Sequence, residues 1–425
     1  MDRVLVFDIG STRLKTLEVL DGSPHRYREY NFSGVDRLDI GIIDKVVDSV
    51  RDVYDIYIIT GQRASIMGWD DDGNYSRIYT WRSDVDIRYR ERYIDRDDYM
   101  LNLFIRPGSG ALRIKYVQDM GFKYVGGVES YITWLLTGEY IVDYTYAYPY
   151  GLLDPYSLEY IEYIIGKLEI DVDRLPNLVD SYRDCIEGGI PILMIPDQSA
   201  SLVGEGLYIS KATLGTGAFV DVYTGGELIG DPERGVNPML ALILDDTPIY
   251  MAEAFIFDWG VSLDQYIMGY GVGYDSIDKI DVGYDSYRVY PPLLRSTYSP
   301  KAGGDIGGYT VRDITLSLVG SLGFIIKLVS SVKGFDTIYL GGGGARSRLI
   351  PKLLAESIDI DVVLRRDVVK SSLYGAYLYY LLRMGDDIRD ILESYRPVEY
   401  RYSGSSRYSW ILNIYMDALD RLDPH

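Results

Sequence analysis

One cysteine and two histidines in 425 residues remove several kinds of chemistry before any motif is read. Cys185 has no second cysteine to pair with, which excludes an internal disulfide framework, a CxxC redox pair and a cysteine-ligated cluster. It reads as a small buried hydrophobe. His25 falls in an early turn and His425 ends the chain, so neither a Ser-His-Asp constellation nor a histidine-rich zinc site can form. Acid and base work is left to carboxylates, lysine or tyrosine. Positive charge is also short: 43 Lys and Arg against 63 Asp and Glu give a net charge of -20, which argues against nucleic-acid and anionic-membrane partners. No apolar run approaches the ~20 residues of a membrane helix. The first residues lack the length and cleavage site of a signal peptide, so the expected location is cytoplasmic. Asn and Gln are sparse while tyrosine reaches 42, a balance that fits a hot environment and bears on stability rather than activity.

What is present points to two α/β domains. The length exceeds one ordinary core. Residues 3 to 8 and 16 to 20 read as strands around a Gly-Ser-Thr turn, and the second strand ends in Asp21-Gly22, a hairpin signal. The segment from Lys211 to Gly226 repeats that design around Gly215-Thr216-Gly217. A second half that restarts as the first did places the boundary near 205, giving domains 1–205 and 206–425. Ile56 to Thr60 reads as a buried strand, and Ser130 to Thr137 as a helix stopped by Gly138. Ile314, Leu318, Leu322, Ile325 and Val329 keep helical spacing, and Thr337 to Leu340 is a strand entering glycines. The alternation is α/β. The stretch from Gly269 to Tyr298 is the least periodic and is expected to be a long surface excursion.

Three glycine-rich turns and one carboxylate carry the chemistry. Asp8-Ile9-Gly10-Ser11-Thr12, with Lys15 following, sets an acid at a strand end beside a turn that can aim N–H groups at phosphate oxygens. Asp8 would hold Mg directly or through water. Ordinary hairpin turns share this composition, so alone it does not separate the two. Gly215-Thr216-Gly217 is the matching turn of the second half. Gly341 to Gly344 and Ala345 follow a strand and open a helix, where side-chain-free backbone suits a purine or ribose. Four consecutive glycines cost about 1 kcal/mol each relative to alanine in regular structure, more than a mere turn requires. No Walker sequence and no GxGxxG occurs. Asp197-Gln198-Ser199-Ala200 follows the apolar strand Ile190 to Ile195, where an open α/β sheet presents catalytic groups. A helix N-cap is the competing role for Asp197.

Taken in order, these residues resemble the FGGY carbohydrate kinases over almost the whole chain. The resemblance rests on Asp8 to Ser11, Thr60-Gly61-Gln62, Trp134 to Gly138 with Asp143, Asp197 to Ala200, Gly215 to Phe219, Gly342 to Ala345 and Gly375-Ala376. It implies two ribonuclease-H-like, actin-like ATPase domains with a nucleotide cleft between them, the substrate mainly on the first. It further implies ATP and Mg as cofactors and a small sugar or polyol as substrate, and it allows a homodimer. By that comparison Asp197 is the general base and Asp8 organises Mg. Gly10, Ser11, Thr12, Lys15 and Thr216 fall at phosphate positions. Gly215, Gly217, Gly260, Asp264, Gly343, Gly344, Ala345 and Arg348 fall near the nucleotide, and Gln62, Arg63, Gln198 and Phe219 near the polyol. The alternative is a nucleotide-binding actin-like protein or pseudokinase without sugar kinase activity. The chain departs from the family's pattern at Gly108, at Arg348, in Trp81-Arg82-Ser83-Asp84, and at Ala64, where glycerol kinases place a glutamate. Loss of that carboxylate, and the volume alanine vacates, predict a pentulose or longer polyol rather than glycerol.

Overall fold

The protein is described from a computed structural model over residues 3–32, 38–83, 85–95, 97–283, 286–299, 307–366, 371–387 and 398–422. Asp84 and His425 lie outside these. Two compact units emerge from the packing. The first comprises Met1–Gly204, Leu240–Ile249 and Ser371–Ile391, the second Glu205–Met239, Tyr250–Lys370 and Leu392–His425. A single cut at 205 therefore differs from the observed units, because two later segments return to the first.

The first unit is built on a sheet of order β3-β2-β1-β4-β9. Its strands are β1 (Arg3–Ile9), β2 (Arg13–Leu20), β3 (Ser23–Asn31), β4 (Ile56–Gly61) and β9 (Ile192–Met194). Short pairs are made by β5 (Ile66–Trp69) with β6 (Tyr124–Gly127) and by β7 (Ile141–Asp143) with β8 (Asn177–Val179). β1 reads Arg-Val-Leu-Val-Phe-Asp-Ile and is buried on both faces beyond its first residue, as a central strand requires. β3 is polar and exposed, and its charges blunt the sheet edge. His25 lies in that strand rather than in a turn. β4 and β9 run parallel to β1, so the three strands end on one side of the sheet.

The helix Ser371–Arg383 returns to this sheet from far along the chain. It crosses the helix Asp197–Glu205 so closely that a Cβ on Gly375 would lie 1.8 Å from the Ala200 carbonyl oxygen. At its end, Arg383 forms a buried ion pair with Asp180 at 2.9 Å and donates to the Ile243 carbonyl at 2.9 Å. These contacts explain why the returning segments belong to the first unit.

The second unit carries a sheet of order β12-β13-β11-β10-β14-β15-β16. Its strands are β10 (Ser210–Leu214), β11 (Ala218–Gly225), β12 (Asn237–Leu244), β13 (Thr247–Ile256), β14 (Thr337–Gly341), β15 (Asp361–Arg366) and β16 (Val398–Tyr402), with the Leu240–Ile249 turn grouped as given above. Its core helix, Val311–Val332, starts at a capping box between Thr310 and Asp313. At 22 residues and a mean hydropathy of 1.7 it is long and apolar enough to cross a membrane, contrary to the expectation that no run approaches that length. Its apolar faces are instead packed inside this unit, with Leu316, Leu318, Val319 and Leu322 wholly buried.

The region from Gly269 to Tyr298 corrects a second expectation. Ile277, Tyr287, Tyr290 and Leu293 are buried in the core of this unit. The Tyr287 hydroxyl donates to the Ile411 carbonyl at 2.9 Å, and the Tyr290 N–H to the Ser317 hydroxyl at 2.8 Å. Aromatic side chains inserted at irregular intervals leave no period for a sequence pattern to reveal.

Candidate active site

At the ends of the parallel strands, the first unit gathers most of its sequence-predicted residues. Asp8 is 3% exposed. Its register partners are Lys15 on β2 and Thr60 on β4, which puts the three side chains on one face. Lys15 Nζ lies 2.7 Å from Asp8 Oδ2, and the Ser372 hydroxyl donates to the same oxygen at 3.0 Å. Gly10 donates its N–H to the Arg13 carbonyl at 3.0 Å, closing the turn that holds Ser11 and Thr12 half-buried. One strand over, Gln62 donates its N–H to the Ile9 carbonyl at 2.9 Å, so β1 and the Gln62–Arg63 loop are fastened together.

Asp197 is the first residue of its helix, separated from β9 by two residues, and its carboxylate accepts the Gln198 N–H at 2.8 Å. It is half-buried, and Gln198 is buried beside it. Cys185 is buried, and burial with the carboxylates of Asp143, Asp184 and Asp180 pushes its thiol up to about 12, too high for a nucleophile.

Ala64 follows Arg63 in the same loop. It is 1% exposed, and its methyl lies 3.4 Å from where a Cβ on Gly110 would stand, with the Tyr150 ring at 3.2 Å from the same point. The Ala64 φ of 52° is left-handed, an unusual cost for alanine.

In the second unit three glycine contacts join the predicted nucleotide residues. The Gly215 N–H donates to the Gly217 carbonyl at 2.9 Å, and the Thr216 carbonyl takes the Gly260 N–H at 3.0 Å. A Cβ on Gly260 would stand 2.0 Å from the Gly215 oxygen, so the helix Trp259–Tyr270 begins in backbone contact with the turn. Gly342, with φ 84°, touches Leu214, and Gly344 lies against Trp259, where a Cβ would stand 2.4 Å from the indole. Gly343 has open space, and Ala345 donates its N–H to the Gly342 carbonyl at 3.3 Å. Asp264 accepts the Tyr274 hydroxyl, and the Arg348 N–H donates to Asp278 at 3.0 Å. Phe219 stacks on Phe255 in this unit, with centroids 4.9 Å apart.

No family model matches the chain. Over 189 residues it is 33% identical to an uncharacterized sugar kinase of Archaeoglobus fulgidus, an alignment spanning 42% of this chain and 38% of that relative. A glycerol kinase of Alteromonas mediterranea is 24% identical over 379 residues, 77% of this chain and 76% of the relative. Among solved structures, a ligand-bound xylulose kinase of Lactobacillus acidophilus aligns with a TM-score of 0.79 at 15% identity, covering 99% of this chain and 98% of that one. A Plasmodium falciparum glycerol kinase with ADP gives 0.78 at 16% identity and the same coverage. The relatives are sugar and glycerol kinases, and the solved neighbours are xylulose and glycerol kinases. The chain has the α/β, actin-like ATPase fold of these solved kinases.

Sequence reasoning missed several residues that the packing gathers around the first unit's strand ends. Ser372 touches Asp8, and Glu129, Tyr146 and Tyr150 are buried nearby. Ser372 precedes Gly375-Ala376 by only three residues, a signal that was present; the tyrosines had none, since their contacts depend on distant segments.

Proposed function

We propose that the protein is an ATP-dependent kinase that phosphorylates a hydroxyl of a small sugar or polyol, with Asp197 as general base. The observation that carries this reading is the gathering of Asp8, Gln62 and Asp197 where parallel strands β1, β4 and β9 end on one side of the sheet. Phosphoryl transfer asks a protein mainly for positioning and charge stabilisation. In the proposed reaction the substrate hydroxyl oxygen forms a bond to the γ-phosphorus of ATP as the bond to the β,γ-bridging oxygen breaks. The hydroxyl proton passes to the Asp197 carboxylate, and ADP leaves. No histidine competes for that role among the described residues, since His25 is exposed on β3.

The nucleotide reading of the second unit rests on its backbone. The turn Gly215–Gly217, the start of the helix at Gly260 and the Gly342–Ala345 loop stand in mutual contact, and Gly343 leaves open backbone there. Such surfaces present N–H groups without side chains in the way.

Magnesium fits only as an ion brought with the nucleotide. No cluster of three or more metal-ligating side chains occurs among the described residues, and one oxygen of Asp8 is taken by Lys15 and Ser372. Asp8 would hold the ion, directly or through water, as suits a cation that keeps several waters. When bound, Mg would neutralise phosphate charge. The experiment is ADP formation by the purified protein with glycerol, xylulose, ribulose and gluconate in turn. Acceptor-dependent ADP release is expected with at least one, and its absence across the panel overturns the kinase reading.

A further inference from the structure

A second acid is buried in the first unit, away from the predicted motifs. Glu129 is 2% exposed in the opening turn of the helix Val128–Thr137. The Tyr150 hydroxyl donates to its Oε1 at 2.6 Å, and the Gly127 N–H donates to the Tyr150 oxygen at 2.9 Å. Space around the carboxyl is shaped for it, since a Cβ on Gly127 would stand 1.9 Å from Oε1. Tyr150 also borders Ala64 across Gly110, which ties the pair to the Gln62–Arg63 loop.

Two further observations connect this acid to the strand ends. The buried Tyr146 hydroxyl donates to the Gly61 carbonyl at 3.3 Å, and the charges of Glu129, Asp197, Asp8 and Asp143 all act to raise its pKa. The hydroxyls of Thr60, Ser65 and Ser130 are wholly buried and have no hydrogen-bond partner. Thr60 faces the Asp8 side of the sheet, Ser65 accepts the Val128 N–H on its carbonyl at 3.0 Å, and Ser130 follows Glu129. Buried polar groups are nearly always paired, so each of these hydroxyls lacks a partner that a polar ligand would supply.

We propose that Glu129, positioned by Tyr150, is a specificity residue of the acceptor site and binds a hydroxyl of the polyhydroxylated substrate other than the one phosphorylated. This rests on the kinase reading above. A carboxyl held by a tyrosine can accept one hydroxyl proton at an oxygen lone pair, while Thr60, Ser65 and Ser130 supply donors and acceptors for neighbouring hydroxyls. The chain thus supplies from Glu129 a carboxyl that its Ala64 cannot.

The test uses the full chain and two readouts. Isothermal titration of the nucleotide-free protein with glycerol, xylulose and ribulose gives acceptor affinity, and steady-state kinetics gives KM and kcat for each. Glu129→Gln should weaken binding of the preferred polyol at least tenfold and raise its KM to match, with KM for ATP within twofold and kcat within threefold. Glu129→Asp should recover part of the loss. Tyr150→Phe, which keeps the ring, carries the same readout if Glu129→Gln does not fold. A change under tenfold in polyol affinity for both variants, whatever their melting temperatures, overturns the proposal. A parent protein that binds a polyol through Glu129 yet transfers no phosphate retains this site and loses the kinase reading. A protein that binds none of the three polyols loses this proposal too.

Discussion

At the residue scale, two acids divide the argument. Asp197 is half-buried and accepts the Gln198 N–H, so replacing it by asparagine keeps the shape and the Gln198 contact while removing the base. Asp197→Asn should lower turnover by about 10² to 10⁴, the usual worth of a positioned base, with nucleotide binding retained. Turnover within a few-fold of the parent would remove Asp197 from the mechanism. Glu129 makes a different, thermodynamic prediction. Burial raises its carboxyl from 4.5 to about 7, the Tyr150 hydrogen bond opposing part of that rise. A raised folded pKa means the folded state holds the proton longer than the unfolded chain. Its stabilising contribution is therefore complete below about 4.5 and is lost as pH rises through about 7. Glu129→Gln cannot ionise, so its unfolding free energy relative to the parent should improve from pH 5 to pH 8, by at most about 1.4 kcal/mol per pH unit. Urea unfolding at both pH values checks this, and a difference that stays flat shows Glu129 to be ionised throughout. Both acids stand in short local patterns, but only Asp197 ends an apolar strand, which is why it was legible in sequence and Glu129 was not.

Glycines give the sharpest test at the element scale. Four consecutive glycines suggested close nucleotide approach, yet their surroundings differ one by one. A Cβ at Gly217 would lie 2.7 Å from the Ile256 oxygen, and one at Gly344 would strike Trp259. These two are required by packing whatever binds beside them, and a larger residue there tests the fold of the second unit. Gly343 has nothing within 4 Å of a Cβ, and Gly215 has only the Gly217 oxygen at 3.8 Å. Gly343→Ala and Gly215→Ala should keep the melting temperature within about 2 °C, since an unhindered surface substitution stays within ±0.5 kcal/mol. On the nucleotide reading they should weaken ATP binding by about fivefold or more. Unchanged affinity by titration would leave these glycines as turn formers. The turn positions themselves were visible in sequence, because a tight turn is a demand on adjacent residues. Which glycine faces backbone and which faces open space depends on what another element brings alongside.

At the scale of the whole molecule, the first unit is completed by chain from positions 240–249 and 371–391. The closing contact is the Arg383–Asp180 pair, whose side chains are 6% and 2% exposed. Arg383→Leu strands the Asp180 carboxylate in the interior, and losing one partner of a buried pair costs about 3 to 5 kcal/mol. Denaturant unfolding should show a loss of that order; under about 1 kcal/mol the pair would count no more than a surface contact. By itself the sequence determined the repeated hairpins, the buried central strands, the glycine turns and the order of motifs. Each of these is a demand that neighbouring residues place on their own backbone through φ, hydrogen bonding and the period of apolar side chains. Only the tertiary structure decided that Ser372 meets Asp8, that Tyr150 and Ala64 both border Gly110 while Tyr150 carries Glu129, and that the Gly269–Tyr298 stretch is pegged into a core. Those contacts join residues far apart in the chain, and they form because close packing leaves one arrangement that buries the aromatic rings and pairs most of the charges.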